Sequence, residues 1–197
     1  PVTTKAVFDG IKASGFKSVR IPVAWSNMMG PNYTINPLLM ARVKQVVGYA
    51  LDDNLYVIVN IHWDGGWITK FPDHPAESMK RYKAMWHQIA DNFKDRSDHL
   101  IFESLNEEGS FPQLWNTYGG KPDQKAKAYA TLNSINQAFT GVVRGSGGNN
   151  SRRYLLIAGY GTSIDHTVDP DFKMPRDLAH HSMVSVHYYS PPTFAIL

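Results

Sequence analysis

Apolar residues recur along this chain with two alternating periods. From Thr4 to Ser14 they fall at Val7, Phe8 and Ile11, one side of a helix, and Gly15 supplies the stop. Lys17 to Val23 is short and β-branched, the pattern of a buried strand. Asn36-Pro37 reads as a helix start, with Asn as the cap and Pro in the first turn. Leu39, Val43, Val46, Val47 and Ala50 follow at helical spacing, and Leu55 to Ile61 is again a strand. Met79, Tyr82, Trp86, Ile89 and Phe93 then line one face of an amphipathic helix. Leu100 to Leu105 is the next strand, and Lys125 to Val143 the next helix, with Tyr129, Leu132, Asn136, Phe139 and Val143 on one face. A Gly/Asn/Ser loop, Gly145 to Asn150, leads to strands at Arg153 to Ala158 and Met183 to Val186. Five apolar strands separated mostly by helices predict a parallel sheet with both faces covered.

A doubly wound sheet and a barrel share this alternation. No G-x-G-x-x-G follows the first strand, which removes the main sign of a dinucleotide fold. Polar residues collect instead where strands end: Arg20 with Trp25 beyond it, Asn60-Ile61-His62-Trp63-Asp64 with Trp67, Asn106-Glu107-Glu108, Tyr160, and His187-Tyr188-Tyr189. In a parallel barrel those ends meet on one rim, where active sites sit, so the (β/α)8 barrel is the expected fold class. Composition narrows the chemistry. The 197 residues carry a formal net charge of +3, 19% charged and 43% hydrophobic residues, and no cysteine. Disorder, disulfides and thiolate metal sites are excluded. Basic residues are scattered rather than striped, so no nucleic-acid partner is expected, and no apolar run approaches the ~20 residues of a membrane span.

Glu107 is the leading candidate for chemistry. On a regular strand Ile101, Glu103, Leu105 and Glu107 share a face, which puts Glu103 about 13 Å deeper. That is too far for the paired carboxylates of a retaining glycosidase, which lie about 5–5.5 Å apart. Glu103 is therefore expected to be a buried structural acid in need of a cation or hydrogen-bond donors, and Glu108 to point away from Glu107. Arg20, in an otherwise apolar strand, should answer a carboxylate. Asn106 faces the other way on a regular strand unless the strand end turns it toward a ligand. His62 and His187 read either as orienting groups or, together with Asp64, as metal ligands, but no His-x-His spacing or acid cluster completes a metal site. Trp25, Trp63, Trp67 and Trp115 lie in or near loops after strands, where indole faces stack on sugar rings, whereas Trp86 falls on the helix face that builds the core.

Phe16-Lys17-Ser18-Val19-Arg20-Ile21-Pro22, Val59-Asn60-Ile61-His62, Ile101 to Glu107 and Ser185-Val186-His187-Tyr188-Tyr189 stand in an order that resembles glycoside hydrolase family 5, a (β/α)8-barrel family of retaining endoglycanases. The likeness runs over essentially the whole chain, and the Gly-Trp loop and His-Tyr-Tyr-Ser-Pro-Pro look most like its bacterial endoglucanase, lichenase and xyloglucanase branch. The resemblance implies Glu107 as general acid/base, Asn106 on the sugar 2-hydroxyl, and Arg20 holding the nucleophilic carboxylate. It also implies His62 lining the subsite of bond cleavage, and His187 and Tyr189 tuning the carboxylates. It implies a β-linked polysaccharide or oligosaccharide as partner, no cofactor and a secreted protein, although no signal peptide is visible at Pro1-Val2-Thr3-Thr4. The chain departs from the family pattern at Glu108, commonly Pro, and at Trp63, commonly a second His.

By the same resemblance the chain holds about barrel strands two to six, as a single partial catalytic domain over residues 1–197. The nucleophile, a Glu at the end of the seventh strand, is then expected outside the chain, since no Glu follows Glu108. Both ends, including the closing run Phe194-Ala195-Ile196-Leu197, read as cuts through a larger domain that usually needs about 250 residues. Alone, the chain is expected to be inactive and to need the remainder of the barrel, in the same polypeptide or as a second segment. Two alternatives remain at this point: a non-catalytic carbohydrate-binding barrel remnant, and a metal-dependent hydrolase built on His62, Asp64 and His187.

Overall fold

A computed structural model of the protein describes residues 2–116 and 119–195. Pro1, Ile196 and Leu197, which belong to the two terminal runs noted above, lie outside them. The elements run α1 (Lys5–Ala13), β1 (Ser18–Ile21), α2 (Pro37–Asp52), β2 (Tyr56–Asn60), α3 (Pro75–Phe93), β3 (Leu100–Glu103), a two-residue ribbon β4 (Trp115–Asn116) and β5 (Gly119–Gly120), α4 (Lys125–Gly145), β6 (Leu155–Ala158), α5 (Ile164–Thr167), β7 (Ser182–Ser185) and α6 (Pro192–Ala195). Every predicted strand and long helix is present; the first four long strands are shorter than their apolar runs, and the last is shifted one residue toward the N-terminus. Asn36 caps α2, its side-chain oxygen accepting the Leu38 N–H at 2.8 Å, ahead of Pro37 in the first turn.

The five long strands form one sheet in the order β1-β2-β3-β6-β7, and every pair is parallel. With helices between successive strands, this is an arc of a (β/α)8 barrel. The expectation that all strands are buried on both faces holds for one face of the three central strands only. In β2, β3 and β6, Val57, Val59, Leu100, Phe102, Leu155 and Ile157 line that face and are fully buried, whereas Ile58, Ile101 and Leu156 on the opposite face are half-buried, and β7 leaves Met183 and Val184 exposed. An edge strand has no neighbour on one side to cover it.

Helix and sheet are joined by packing and by one buried polar knot. Trp86 of α3 meets Phe139 of α4 edge-on at 4.5 Å and packs on Phe102 of β3. Ser104 donates to Asn136 Oδ1 at 2.7 Å, Asn136 donates to the Ala158 carbonyl at 3.0 Å, and the Ala158 N–H returns to Ser104 Oγ at 3.0 Å. All three residues are buried, so each group is satisfied by the others rather than by water.

Between α5 and β7 an irregular strap (168–181) crosses α4, whose side chains read its backbone. Asn133 donates to the Asp171 carbonyl and accepts from the Lys173 N–H, and Gln137 does the same for Arg176. Arg144 closes the strap with a two-pronged pair to Asp177, both contacts at 2.8 Å. Arg144, foremost, with Ser182 and the Ala179 N–H, holds the Asp177 carboxyl far below the usual carboxylate range against the opposing effect of burial. A carboxyl depressed in the folded state contributes stability that is complete above its unfolded pKa, near 3.9, and is lost as pH falls from there toward the folded value. Asp177→Asn should therefore cost about 2 kcal/mol at neutral pH. In urea titrations the gap between wild type and variant should narrow progressively below about pH 4. A gap that is unchanged at pH 2.5 would argue against the ion pair as the strap's fastening.

Candidate active site

The rim where β1, β2, β3 and β7 end brings most of the candidate residues together. Its foundation is Glu103, the last residue of β3, which is buried and receives four donations. Arg20 on β1 gives Nε at 2.8 Å and Nη2 at 2.7 Å to Oε2, Asn60 at the end of β2 gives Nδ2 at 2.9 Å to Oε2, and Ser185 at the end of β7 gives its hydroxyl at 2.7 Å to Oε1. Three strands other than its own are thus tied to one carboxylate, and the expected cation and donors are supplied. Arg20 also donates Nη2 to Asn106 Oδ1 at 2.8 Å. Regular strand ends at Glu103, so the alternation that would have turned Asn106 away no longer applies, and Asn106 faces the Arg20 side.

Beyond Glu103 the chain turns through 104–109, a stretch in which every residue is buried except Glu107. Glu107 projects into the cleft with its side chain 47% exposed. His187 Nδ1 and the Tyr189 hydroxyl both donate to its Oε1, at 2.7 and 2.8 Å, and leave Oε2 toward the open side. Burial pushes the Glu107 carboxyl up. The donations from His187 and Tyr189, with the His187 and His62 charges, outweigh it and hold the carboxyl below its ordinary value. Glu107 in turn raises the Tyr189 phenol. The backbone carbonyl of Thr162 accepts the His187 N–H at 2.7 Å, so His187 is fixed from both sides. A cleft of about 840 Å³ opens beside this group, lined among others by Glu107, Ser163, Asp165, His187 and Tyr188.

The tryptophans divide. Trp63 is 65% exposed at the rim. Trp25 is fully buried, its indole N–H donating to the Asn60 carbonyl at 2.9 Å, and Trp67 is buried with its N–H on Asp64 Oδ2 at 3.0 Å and the Arg81 guanidinium over its ring. Neither offers a face to a sugar, which corrects the expectation for these two: lying after a strand does not by itself expose a side chain. Trp115 is half-buried in a stack with Tyr129, Tyr160 and His166. His62 is partly buried, with Nδ1 unpaired among the described residues.

Asp64 is buried and spent on the loop. Its Oδ1 accepts the Ser26 N–H at 2.5 Å and its Oδ2 the Trp67 indole. It is therefore an anchor for the β1 and β2 loops, unavailable for the ligand set of His62, Asp64 and His187, and no group of three metal-ligating side chains is assembled among the described residues. Residues that the sequence reading left without a role here are Ser185, as a donor to Glu103, and Glu108, whose Oε1 accepts the Trp63 N–H at 2.5 Å. Nothing in the sequence pattern singled out Ser185, while Glu108 was visible as a departure from the family pattern.

The parallel arc recurs in proteins of known structure. A model of the cellulase family, glycosyl hydrolase family 5, matches residues 1–196, and the chain belongs to that family. Endoglucanase A of Clostridium longisporum is 41% identical over the whole chain, and endoglucanase A of Paenibacillus barcinonensis 37% identical over 99% of it. Among solved structures, a lichenase from Caldicellulosiruptor sp. F32 in complex with cellotetraose superposes with a TM-score of 0.87 at 39% identity over 96% of the chain. A family 5 xyloglucanase from Paenibacillus pabuli superposes with a TM-score of 0.88 at 40% identity over all of it. The chain spans about half the length of these relatives: 37% and 51% of the two endoglucanases, 52% of the lichenase and 58% of the xyloglucanase.

Proposed function

We propose that this chain is the acid/base-bearing part of a retaining endo-β-1,4-glucanase that acts outside the cell on a β-glucan of the cellulose, mixed-linkage or xyloglucan type. The observation that carries the reading is Glu107, alone exposed in a buried turn, with one carboxyl oxygen tied by His187 and Tyr189 and the other without a hydrogen bond among the described residues. With Oε1 saturated, the proton that moves to the leaving glycosidic oxygen belongs on Oε2, which then takes a proton from water in the second step. The described donors favour the ionised, base-ready form. The acid step needs a raised pKa, which a second carboxylate about 5–5.5 Å away would provide by like-charge repulsion. That nucleophile is assigned to sequence outside the 197 residues. Arg20 and Asn106 orient the rim, Asn106 also meeting the sugar 2-hydroxyl. His62 lines the cleavage subsite, and Trp63 faces the glycan.

The test is the anomeric outcome of β-glucan hydrolysis by the full-length protein, followed by proton NMR from the first minute. The β-anomer should form first. An α-anomer first, or binding of cellotetraose with no turnover, would overturn the reading, the latter in favour of a carbohydrate-binding remnant. The 197-residue chain alone should bind without hydrolysing.

A further inference from the structure

Trp63 is held in a backbone conformation that tryptophan rarely adopts. Its φ is +36°, and Gly65 and Gly66 follow at +73° and +69°. Glycine tolerates such values, whereas a bulky L residue is strained there. The strain persists only if something holds the turn. Two contacts do: the Gly65 N–H donates to the Trp63 carbonyl at 2.5 Å, and the Trp63 N–H donates to Glu108 Oε1 at 2.5 Å. The indole lies over Gly66, where even an added Cβ would meet its outer ring edge at 3.7 Å.

Glu108 is an unusual group to find at that place. It is 7% exposed, and its second oxygen has no partner among the described residues. A carboxylate buried for packing alone would be costly, so a specific use is expected for the oxygen that is bonded. That use is the Trp63 amide. Because Glu108 is the residue after Glu107, one turn of chain sets both the acid/base and the Trp63 backbone.

We propose that Glu108 is a positioning residue for substrate: its carboxylate fixes the strained Trp63 backbone so that the indole stands open at the rim as a platform for a pyranose ring of a β-1,4-linked glucan. The proposal rests on the glucanase reading above. Of the four rim tryptophans, Trp63 alone is exposed, so its orientation decides where a ring can stack.

The experiment is a double-mutant cycle on cellotetraose binding in the full-length protein, in a Glu107→Gln background that suppresses turnover, together with hydrogen exchange at the Trp63 amide. Glu108→Ala should weaken cellotetraose binding about threefold to tenfold and abolish the amide's protection. Trp63→Ala should weaken it by a similar factor, and the two together by no more than Trp63→Ala alone. Glu108→Gln, whose amide oxygen still accepts, should keep both protection and binding. Glu108→Asp, one methylene too short, should behave as Ala and stands in for it if the alanine variant does not fold. Additive losses, or a protected amide in Glu108→Ala or Glu108→Asp, or loss in Glu108→Gln equal to that in Glu108→Ala, would each overturn the proposal. The glucanase reading fails separately, if the Glu107→Gln background still hydrolyses cellotetraose at the wild-type rate.

Discussion

Glu107→Gln is expected to lower kcat on β-glucan by about 10²–10⁴-fold. The amide oxygen can still accept from His187 and Tyr189, so the side chain keeps its place at the rim and KM should change little. What is lost is the proton: an amide can neither protonate the departing glycosidic oxygen nor draw a proton from water. The defect should depend on the leaving group. A nitrophenyl cello-oligosaccharide departs as a stable phenolate and needs little protonation, so its cleavage step should suffer far less than that of the natural polymer. The pair of kcat/KM values, polymer against aryl glycoside, is the measurement, because kcat/KM reports the cleavage step and not the later water step that Glu107 also serves on both substrates. An equal loss on both substrates would point to a collapsed site rather than a missing acid, and no loss on the polymer would remove Glu107 from the chemistry.

Arg153→Met should destabilise the protein by about 3–5 kcal/mol. Arg153 is fully buried and makes no ion pair among the described residues. Its Nε donates to Asn150 Oδ1 at 2.7 Å, Nη1 to the Ser97 and Leu100 carbonyls at 2.7 Å each, and Nη2 to the Phe93 and Arg96 carbonyls at 3.1 and 3.0 Å. Burial lowers its pKa to about 10, still charged at neutral pH, and the guanidinium lies 5.0 Å from the Phe102 ring centroid. The planar fork gathers four carbonyls between the end of α3 and the start of β3, a cation at a helix C-terminus. Methionine fills the space but removes all five donations, leaving the Phe93, Ser97 and Arg96 carbonyls with one donor each, the Arg96 N–H, the Leu100 N–H and Asn149 Nδ2. Lysine has three donors on one point and cannot span them, so Arg153→Lys should recover only part. Urea unfolding at neutral pH reads the effect, and a thermal midpoint about 10 °C lower should accompany it. A loss under about 1 kcal/mol would mean that water takes over the carbonyls.

The periodic elements were legible in the sequence because their signal is local. Phe8, Val43, Val47, Tyr82, Trp86, Ile89 and Phe93 repeat at helical spacing and are buried on the sides that the pattern indicated. The polar rim was legible for the same reason: residues at strand ends meet whenever the strands are parallel. Burial was not legible. Trp25 and Trp67 follow strands just as Trp63 does, yet the Asn60 carbonyl, 35 residues from Trp25, and the Asp64 carboxylate, within the same loop as Trp67, draw them inward. Asp64 looked like a ligand candidate because pattern shows a residue type but not which donors reach it. The four donations to Glu103 come from β1, β2 and β7, so the need for partners was readable while their identity, Asn60 and Ser185 included, depended on register. The short α5, the β4–β5 ribbon and the strap over α4 went unread: the first two are too short to show a period, and the strap is held by Asn133 and Gln137, far away in sequence.

In the sheet, each of β2, β3, β6 and β7 lies beside the long strand that precedes it in the chain. A chain emerging from the ribosome therefore presents each of these four strands to a neighbour already made, with one crossover to close. Growth can proceed as a ratchet, each new unit docking on the last. The growing edge stays sticky until the following strand arrives, which makes pauses in translation the moments of greatest aggregation risk.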